Sequence, residues 1–205
     1  TIAIARSRGV EVFETVANSQ KKAGALNQVL TQLLPGLGEN GTVMIMDADT
    51  VLRQGFIRSA VQHFVRDRGL SAIGGLFYGE NRKGFLALIQ RNEYTRYSRE
   101  INRRKGRVFV LTGTASIFRA RALRTVAEER GHLLPGTKGQ VYDTHALTED
   151  NELTIALKSL GALMTSPAEC MVETELMPTL GDLWRQRLRW QRGAMENIAT
   201  YGITS

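Results

Sequence analysis

Thr42-Val43-Met44-Ile45-Met46-Asp47-Ala48-Asp49-Thr50 joins a short apolar run to two aspartates spaced two apart. The run has the length of a strand, and its lack of alternation predicts burial on both faces, as in a parallel sheet covered by helices. Residues two apart in an extended segment point the same way, so both carboxylates can face one point. Two hard oxygen donors at the C-terminal end of such a strand suit Mg²⁺ or Mn²⁺ carrying a diphosphate. An Asx-rich turn leading into a helix from about Gln54 to Asp67 would use the same residues, and a lone D-x-D does not separate the two readings.

On the N-terminal side, Lys21-Lys22-Ala23-Gly24-Ala25-Leu26-Asn27 opens a helix that runs to about Leu34, where Pro35-Gly36 ends it. A lysine at a helix start is well placed for a phosphate, although most single lysines are simply solvated. Thr1 to Arg8 reads as the tail of a helix with Gly9 at its C′ position, and Val10 to Thr15 alternates like a strand. A chain that opens this way is expected to be a fragment lacking the preceding strand.

On the C-terminal side, Ala72 to Phe77 reads as a strand. Gly84 to Arg104 reads as a long polar helix with Phe85, Leu88, Ile89, Tyr94, Tyr97 and Ile101 as its inner stripe. The basic run Arg103-Arg104-Lys105-Gly106-Arg107 that ends it fits a solvated helix C-terminus, and it lacks the interleaved aromatics of a nucleic-acid platform. Val108 to Leu111 is read as a strand entering Thr112-Gly113-Thr114-Ala115-Ser116, whose small side chains let a ligand approach the backbone. A helix follows from Ala120 to Glu129, and then Gly131 to Ala146, a loop long enough for a lid or a binding loop.

Leu147-Thr148-Glu149-Asp150-Asn151-Glu152 begins a helix that ends at Leu160-Gly161. Thr148 is an expected cap and the acids suit the helix dipole; service of one carboxylate as a general base is the functional alternative. Two short strands, Ala162 to Thr165 and Cys170 to Glu175, lead to a last helix over 179–198. There Thr179 and Asp182 form an approximate capping box. Leu180, Leu183, Trp184 and Leu188 are expected to make a buried stripe. Gln186, Arg189 and Trp190 share another face at i, i+3 and i+4, offering a guanidinium fork for phosphate and an indole face for a sugar ring.

The chain has 205 residues and a formal net charge of +7, from 27 basic against 20 acidic side chains. That length suits one domain over 1–205, and the charge allows an anionic partner without choosing among them. Cys170 is the single cysteine, which rules out an intrachain disulfide and fits a reducing compartment. His63, His132 and His145 show no metal-ligand spacing. No apolar run reaches the length of a bilayer span.

Lys22-Ala23-Gly24-Ala25-Leu26-Asn27, Asp47-Ala48-Asp49, Thr148-Glu149-Asp150 and Gln186-Arg187-Leu188-Arg189-Trp190 together resemble the family 2 glycosyltransferases. The likeness is to their membrane-associated branch of cellulose, hyaluronan, chitin and poly-N-acetylglucosamine synthases, and it spans residues 10 to 198. The resemblance implies a GT-A fold, α/β and Rossmann-like, with a mixed, mostly parallel sheet flanked by helices. It implies an inverting transfer from a nucleotide-diphosphate sugar, UDP being the expected nucleotide, to a saccharide acceptor, with Mg²⁺ or Mn²⁺ and no nucleic acid.

By the same match Asp49 would hold the metal with Asp47 near it and the nucleotide sugar, and Lys22 would line the nucleotide pocket. Gln186, Arg189 and Trp190 would close over the diphosphate and acceptor, Glu149 would shape the acceptor site, and Gly113 and Thr114 belong to the acceptor-side segment. Asp150 would take the acceptor proton. The parent protein is expected at the cytoplasmic face of the cell membrane. A basic nucleic-acid-binding module and a catalytically inert scaffold are the rival readings.

Overall fold

The computed structural model describes residues 2–202. Helix α1 (Ile2–Ser7) is followed by an irregular stretch and by α2 (Lys21–Leu33), which a 3₁₀ turn at Leu34–Gly36 closes. Then come β1 (Thr42–Met46), β2 (Thr50–Leu52), α3 (Phe56–Arg66), β3 (Leu70–Gly74), β4 (Leu76–Gly79), α4 (Phe85–Arg103) and β5 (Ala115–Arg119). The remainder is α5 (Ala120–Glu129), α6 (Glu149–Ser159), β6 (Leu163–Thr165), β7 (Met171–Thr174) and α7 (Leu180–Tyr201).

Two sheets form, one of four strands in the order β1-β5-β3-β6 and one of three in the order β2-β7-β4. In the first, β1, β3 and β6 run one way and β5 runs against them. The expected parallel direction therefore holds for those three strands, while both pairings made by β5 are antiparallel. The cause is topological: Ala115, the first residue of β5, pairs with Met46 at the end of β1, and Ser116 pairs with Gly74 at the end of β3.

Side chains alternate across this sheet. Ala72 and Phe118 join Leu30, Leu123, Leu153 and Leu157 in a core under α2, α5 and α6. Ile73 and Ile117 join Phe56, Ala60 and Phe64 of α3 on the other face. Removing each such large side chain from water contributes roughly 1.5–3 kcal/mol before the entropy of ordering it.

Several sequence expectations fail for identifiable reasons. β1 is an edge strand of its sheet, so it is half-buried rather than covered on both faces, and Met46 stays 39% exposed. The strand buried throughout is β5. Val108 to Leu111 forms no strand; the Leu111 amide is spent on Thr154 Oγ1 at 2.8 Å. Val10 to Thr15 is irregular, with Val10 and Phe13 exposed and no partner strand among the described residues. The 131–146 segment is not a lid, because it sends Leu134, Val141 and Tyr142 into the core.

The apolar stripe expected to be buried on α7 is exposed at Leu180, Trp184 and Leu188, and so are Phe85, Leu88 and Ile89 on α4. On α4 Tyr94 and Ile101 of the expected stripe are buried, and Ala87, Gln90 and Ser98 complete that face.

One charged group lies at the heart of the α5–α6 side. Arg130 is fully buried, donates from Nη2 to Glu152 Oε2 at 2.8 Å and to Val141 O at 2.7 Å, and from Nη1 to Pro135 O at 2.8 Å. Tyr201 at the end of α7 donates to the same carboxylate. Removing one partner strands the other charge in the core, so Glu152→Ala is expected to cost about 3–5 kcal/mol in chemical denaturation. A loss below about 1 kcal/mol would mean that water reaches Arg130.

Candidate active site

Because β5 starts where β1 stops, the chain just before β5 lies against the chain just after β1. The Asp47 amide donates to Gly113 O at 2.9 Å. Gly113 in turn donates its own amide to Asp150 Oδ2 at 3.0 Å, at the first turn of α6. One glycine thus joins the two acidic motifs through its backbone. A side chain there would meet Lys22 Nζ at 2.9 Å and Asp47 Oδ2 at 3.1 Å.

Lys22, in the first turn of α2, reaches into the same place. Its ammonium pairs with Asp47 Oδ1 and, at 3.2 Å, with Glu149 Oε1. Burial alone would lower its pKa, but the two carboxylates outweigh that and hold it above the ordinary lysine value. Lys22 therefore stays charged and ties Asp47 to Glu149.

Asp150 is held by two backbone donors, Gly113 N–H and Asn151 N–H, the latter at 2.8 Å to Oδ1. Burial pushes its pKa up, the neighbouring Glu149 charge pushes it further, and the two amides and Lys22 recover only part of the shift. A carboxyl raised in this way is a better proton acceptor than a surface aspartate. Thr148 has no capping hydrogen bond, contrary to expectation; its hydroxyl is buried and unpartnered.

The raised pKa fixes the sign of a pH effect. The folded state holds the Asp150 proton more tightly than the unfolded chain, so this group favours folding fully only below the unfolded pKa. That contribution is lost as pH rises through the folded value. Relative to Asp150→Asn, the wild-type chain should lose stability steadily from about pH 4 upward. Thermal midpoints of the two proteins across acid and neutral pH check this, and a constant difference would contradict it.

Asp47, Gly113 and Asp150 form the floor of a cavity of about 740 Å³, and the Lys22–Glu149 pair lies beside it. Asp47, Asp49, Gly113, Thr114 and Asp150 line one side, and Gln186, Arg189 and Trp190 of α7 line the other. Thr179 does cap α7, accepting from the Asp182 amide at 3.1 Å, which fixes where that helix begins. Asp49 is exposed, and Arg189 makes no ion pair among the described residues.

Arg187 and Glu93 were not singled out by sequence, and Tyr94 and Tyr97 were read as the inner stripe of their helix and not as site residues. Arg187 donates to Glu93 Oε2 at 2.6 Å and to Gln186 Oε1 at 2.8 Å, and its guanidinium lies over the Trp190 ring at 4.2 Å and the Tyr94 ring at 5.8 Å. It sets the pitch of the indole and leaves the Gln186 amide nitrogen free to donate. The signal was its place inside the Gln186–Trp190 motif; Glu93 carried none, being one acid on a polar helix.

Two carboxylates with an open cavity beside them fit a divalent cation that takes its remaining oxygens from a diphosphate. Among the described residues no group of three metal-ligating side chains gathers, and Lys22 already engages Asp47, so Asp49 is the freer donor.

An α/β sheet flanked by helices, with acidic groups at the ends of its strands and a cationic, aromatic helix opposite, defines a nucleotide-sugar transferase class. The chain belongs to the family described as glycosyltransferase like family 2, whose model matches residues 3–193, and is a glycosyltransferase domain. It is 28% identical over 188 residues to the poly-beta-1,6-N-acetyl-D-glucosamine synthase of Staphylococcus aureus, across 90% of this chain and 41% of that one. The enzyme of the same name from Staphylococcus epidermidis is 26% identical over 187 residues, with the same coverage. The chain thus spans less than half the length of these relatives.

Among solved structures it resembles the mannosyltransferase PcManGT from Pyrobaculum calidifontis in complex with GDP-Man and Mn²⁺. The TM-score is 0.66 at 16% identity, over 96% of this chain and 48% of that one. It also resembles mannosyl-3-phosphoglycerate synthase from Rubrobacter xylanophilus, with TM-score 0.53, 16% identity and coverage of 99% and 61%. These likenesses fix the fold as that of the GT-A nucleotide-sugar transferases.

Proposed function

We propose that the domain moves a sugar from a UDP-linked donor to a saccharide hydroxyl with inversion, as the polymerising part of a polysaccharide synthase. The observation that carries this reading is Asp150: a carboxyl with a raised pKa, fixed by two backbone amides, facing a cavity whose opposite wall bears Arg189 and Trp190. Asp150 accepts the proton of the acceptor hydroxyl as that oxygen attacks the anomeric carbon from the face opposite the departing diphosphate. Asp49, with Asp47 beside it, would hold a Mg²⁺ or Mn²⁺ ion, whose chemistry there would be charge neutralisation of the leaving diphosphate. Arg189 offers its fork to the same oxygens, and Lys22 keeps Asp47 oriented toward the nucleotide sugar. No general acid is required, because a diphosphate leaves as an anion.

Trp190 gives the acceptor sugar a stacking surface, with Glu149, Gly113 and Thr114 shaping that side. An aromatic platform that holds a chain after each addition favours repeated transfer. The relatives' product supports an N-acetylglucosaminyl donor. The exposed apolar residues at the starts of α4 and α7 support a seat at the cytoplasmic face of a membrane in the full-length protein; among the described residues no helix is long and apolar enough to cross one.

The test is a donor panel of UDP-N-acetylglucosamine, UDP-glucose and GDP-mannose with a short β-1,6-linked N-acetylglucosamine acceptor, with Mn²⁺ and with a chelator. Product from the first donor alone, lost with chelator, is expected. Transfer only from GDP-mannose would overturn the nucleotide assignment, and chelator-resistant transfer the metal assignment.

A further inference from the structure

Of the second half of α7 only Gln191 and Ala194 line the cavity, yet that half is built as carefully as the first. Gly193, Asn197 and Tyr201 follow one another at intervals of four, so they occupy one stripe of the helix, in line with Gln186 and Trp190. Gly193 and Asn197 are the buried positions of α7. The stripe faces α6. A Cβ on Gly193 would stand 2.6 Å from Thr148 Cγ2 and 3.0 Å from Thr148 Cβ, with Thr148 Oγ1 closer still. Real side chains do not approach so closely, so only glycine allows α7 to seat on the residue directly before Glu149 and Asp150.

Two turns further on, Tyr201 bonds Glu152 Oε1, whose carboxylate is forked by Arg130. Arg130 also binds the carbonyls of Pro135 and Val141, so α6, α7 and the 131–146 segment meet on one guanidinium. The two ends of the stripe thus grip α6 on either side of Asp150.

We propose that Gly193 and Tyr201, acting through Thr148 and the Arg130–Glu152 pair, are positioning residues that set the register of α7 on α6. Because α7 is one continuous helix, that register fixes how far Trp190 and Arg189 stand from Asp150 across the cavity. The clamp therefore sets acceptor alignment. It touches neither Asp47 nor Asp49, so the cation-dependent part of donor binding is independent of it. The inference deepens the reading of Asp150 as base and rests on it for its functional meaning, but its geometry can be read without any turnover.

The experiment compares the wild-type chain, Gly193→Ala and the double variant Gly193→Ala/Thr148→Ala, which removes the two atoms a new Cβ would strike. Three quantities are measured: transfer from UDP-N-acetylglucosamine, the thermal shift given by UDP with Mn²⁺, and hydrogen exchange at the Gly113 and Asn151 amides, whose acceptor is Asp150. In Gly193→Ala turnover should fall by about 10²-fold, the loss expected of a displacement near 1 Å. Exchange at the two amides should rise by about tenfold, with the Mn²⁺-dependent part of the UDP shift unchanged. The double variant should restore exchange and turnover to within about threefold of wild type, since the clash and not the methyl group is the cause.

Unchanged exchange in Gly193→Ala would overturn the clamp, as would a double variant that recovers nothing. A parallel loss of the Mn²⁺-dependent part of the UDP shift would also overturn it, by showing general damage. If the wild-type chain transfers no sugar, the proposed function fails on that arm while the exchange arm still decides the clamp.

Discussion

Asp150→Asn is expected to lower transfer by about 10²–10⁴-fold, the range for loss of a positioned base, while nucleotide binding stays intact. The asparagine keeps the volume and can still accept from one of the two amides that hold Asp150, so the first turn of α6 should survive. It cannot take a proton. The donor-side groups, Asp47 and Asp49, lie beyond β1 on a different element and lose no partner. Initial rates and the UDP thermal shift, measured on the same preparations, separate the two effects. Normal turnover in the variant would remove Asp150 from the mechanism, and loss of both quantities together would recast it as a structural carboxylate.

Asp49→Asn should produce the complementary pattern. A ligand at about one hundred times its dissociation constant adds about 2.7 kcal/mol to the native state. For a chain of this size that corresponds to roughly 5–10 °C in the unfolding midpoint. UDP with Mn²⁺ should give a rise of that order in the wild type, and little without the cation. In the variant the cation-dependent part should disappear. The free protein should barely notice the change, because Asp49 is exposed and makes only a 3.3 Å contact with the Thr50 hydroxyl. Asp47 would behave differently, since removing it strips Lys22 of its closest partner. A full UDP–Mn²⁺ shift in Asp49→Asn would place the cation elsewhere.

The helices were legible in the sequence because their signals are local. Gly9 takes the left-handed conformation expected of a C′ residue, at φ 69°, Thr179 caps α7, and α5 spans the range its pattern predicts. The pairing of strands was not legible, because it depends on residues far apart. Little in Ala115–Arg119 announces the central strand: only Ile117 and Phe118 favour one, Ala115 and Ser116 are small, and the role falls to the segment because β1 and β3 leave a gap that a reversed strand enters from that end. The apolar stripes of α4 and α7 misled for another reason. Periodicity identifies an amphipathic face but not what covers it.

The candidate site was legible as a set of residues and not as a connected object. Lys22, Asp47, Glu149 and Asp150 do converge, and Gln186, Arg189 and Trp190 do share the facing wall. What the sequence could not supply was the wiring: Gly113 serving both acids through its backbone, and Arg187 propping the indole.

The reversed strand β5 has a consequence for how such a domain can diversify. Its pairing with β1 locks Gly113 against Asp47, and Gly113 locks Asp150, so the chemistry sits on a floor whose parts cannot shift separately. The opposite wall, made by α4 and the first half of α7, faces that floor across the cavity, is joined to it where Gly193 and Tyr201 meet the α6 side, and holds its aromatic residues with side-chain contacts of its own. Changes at Glu93, Tyr94 or Tyr97 can therefore remodel the shape offered to an acceptor without moving the acid that activates it. On the proposed mechanism, the α4 side chains that would shape the acceptor and the carboxyl that would activate it stand on different walls of one cavity.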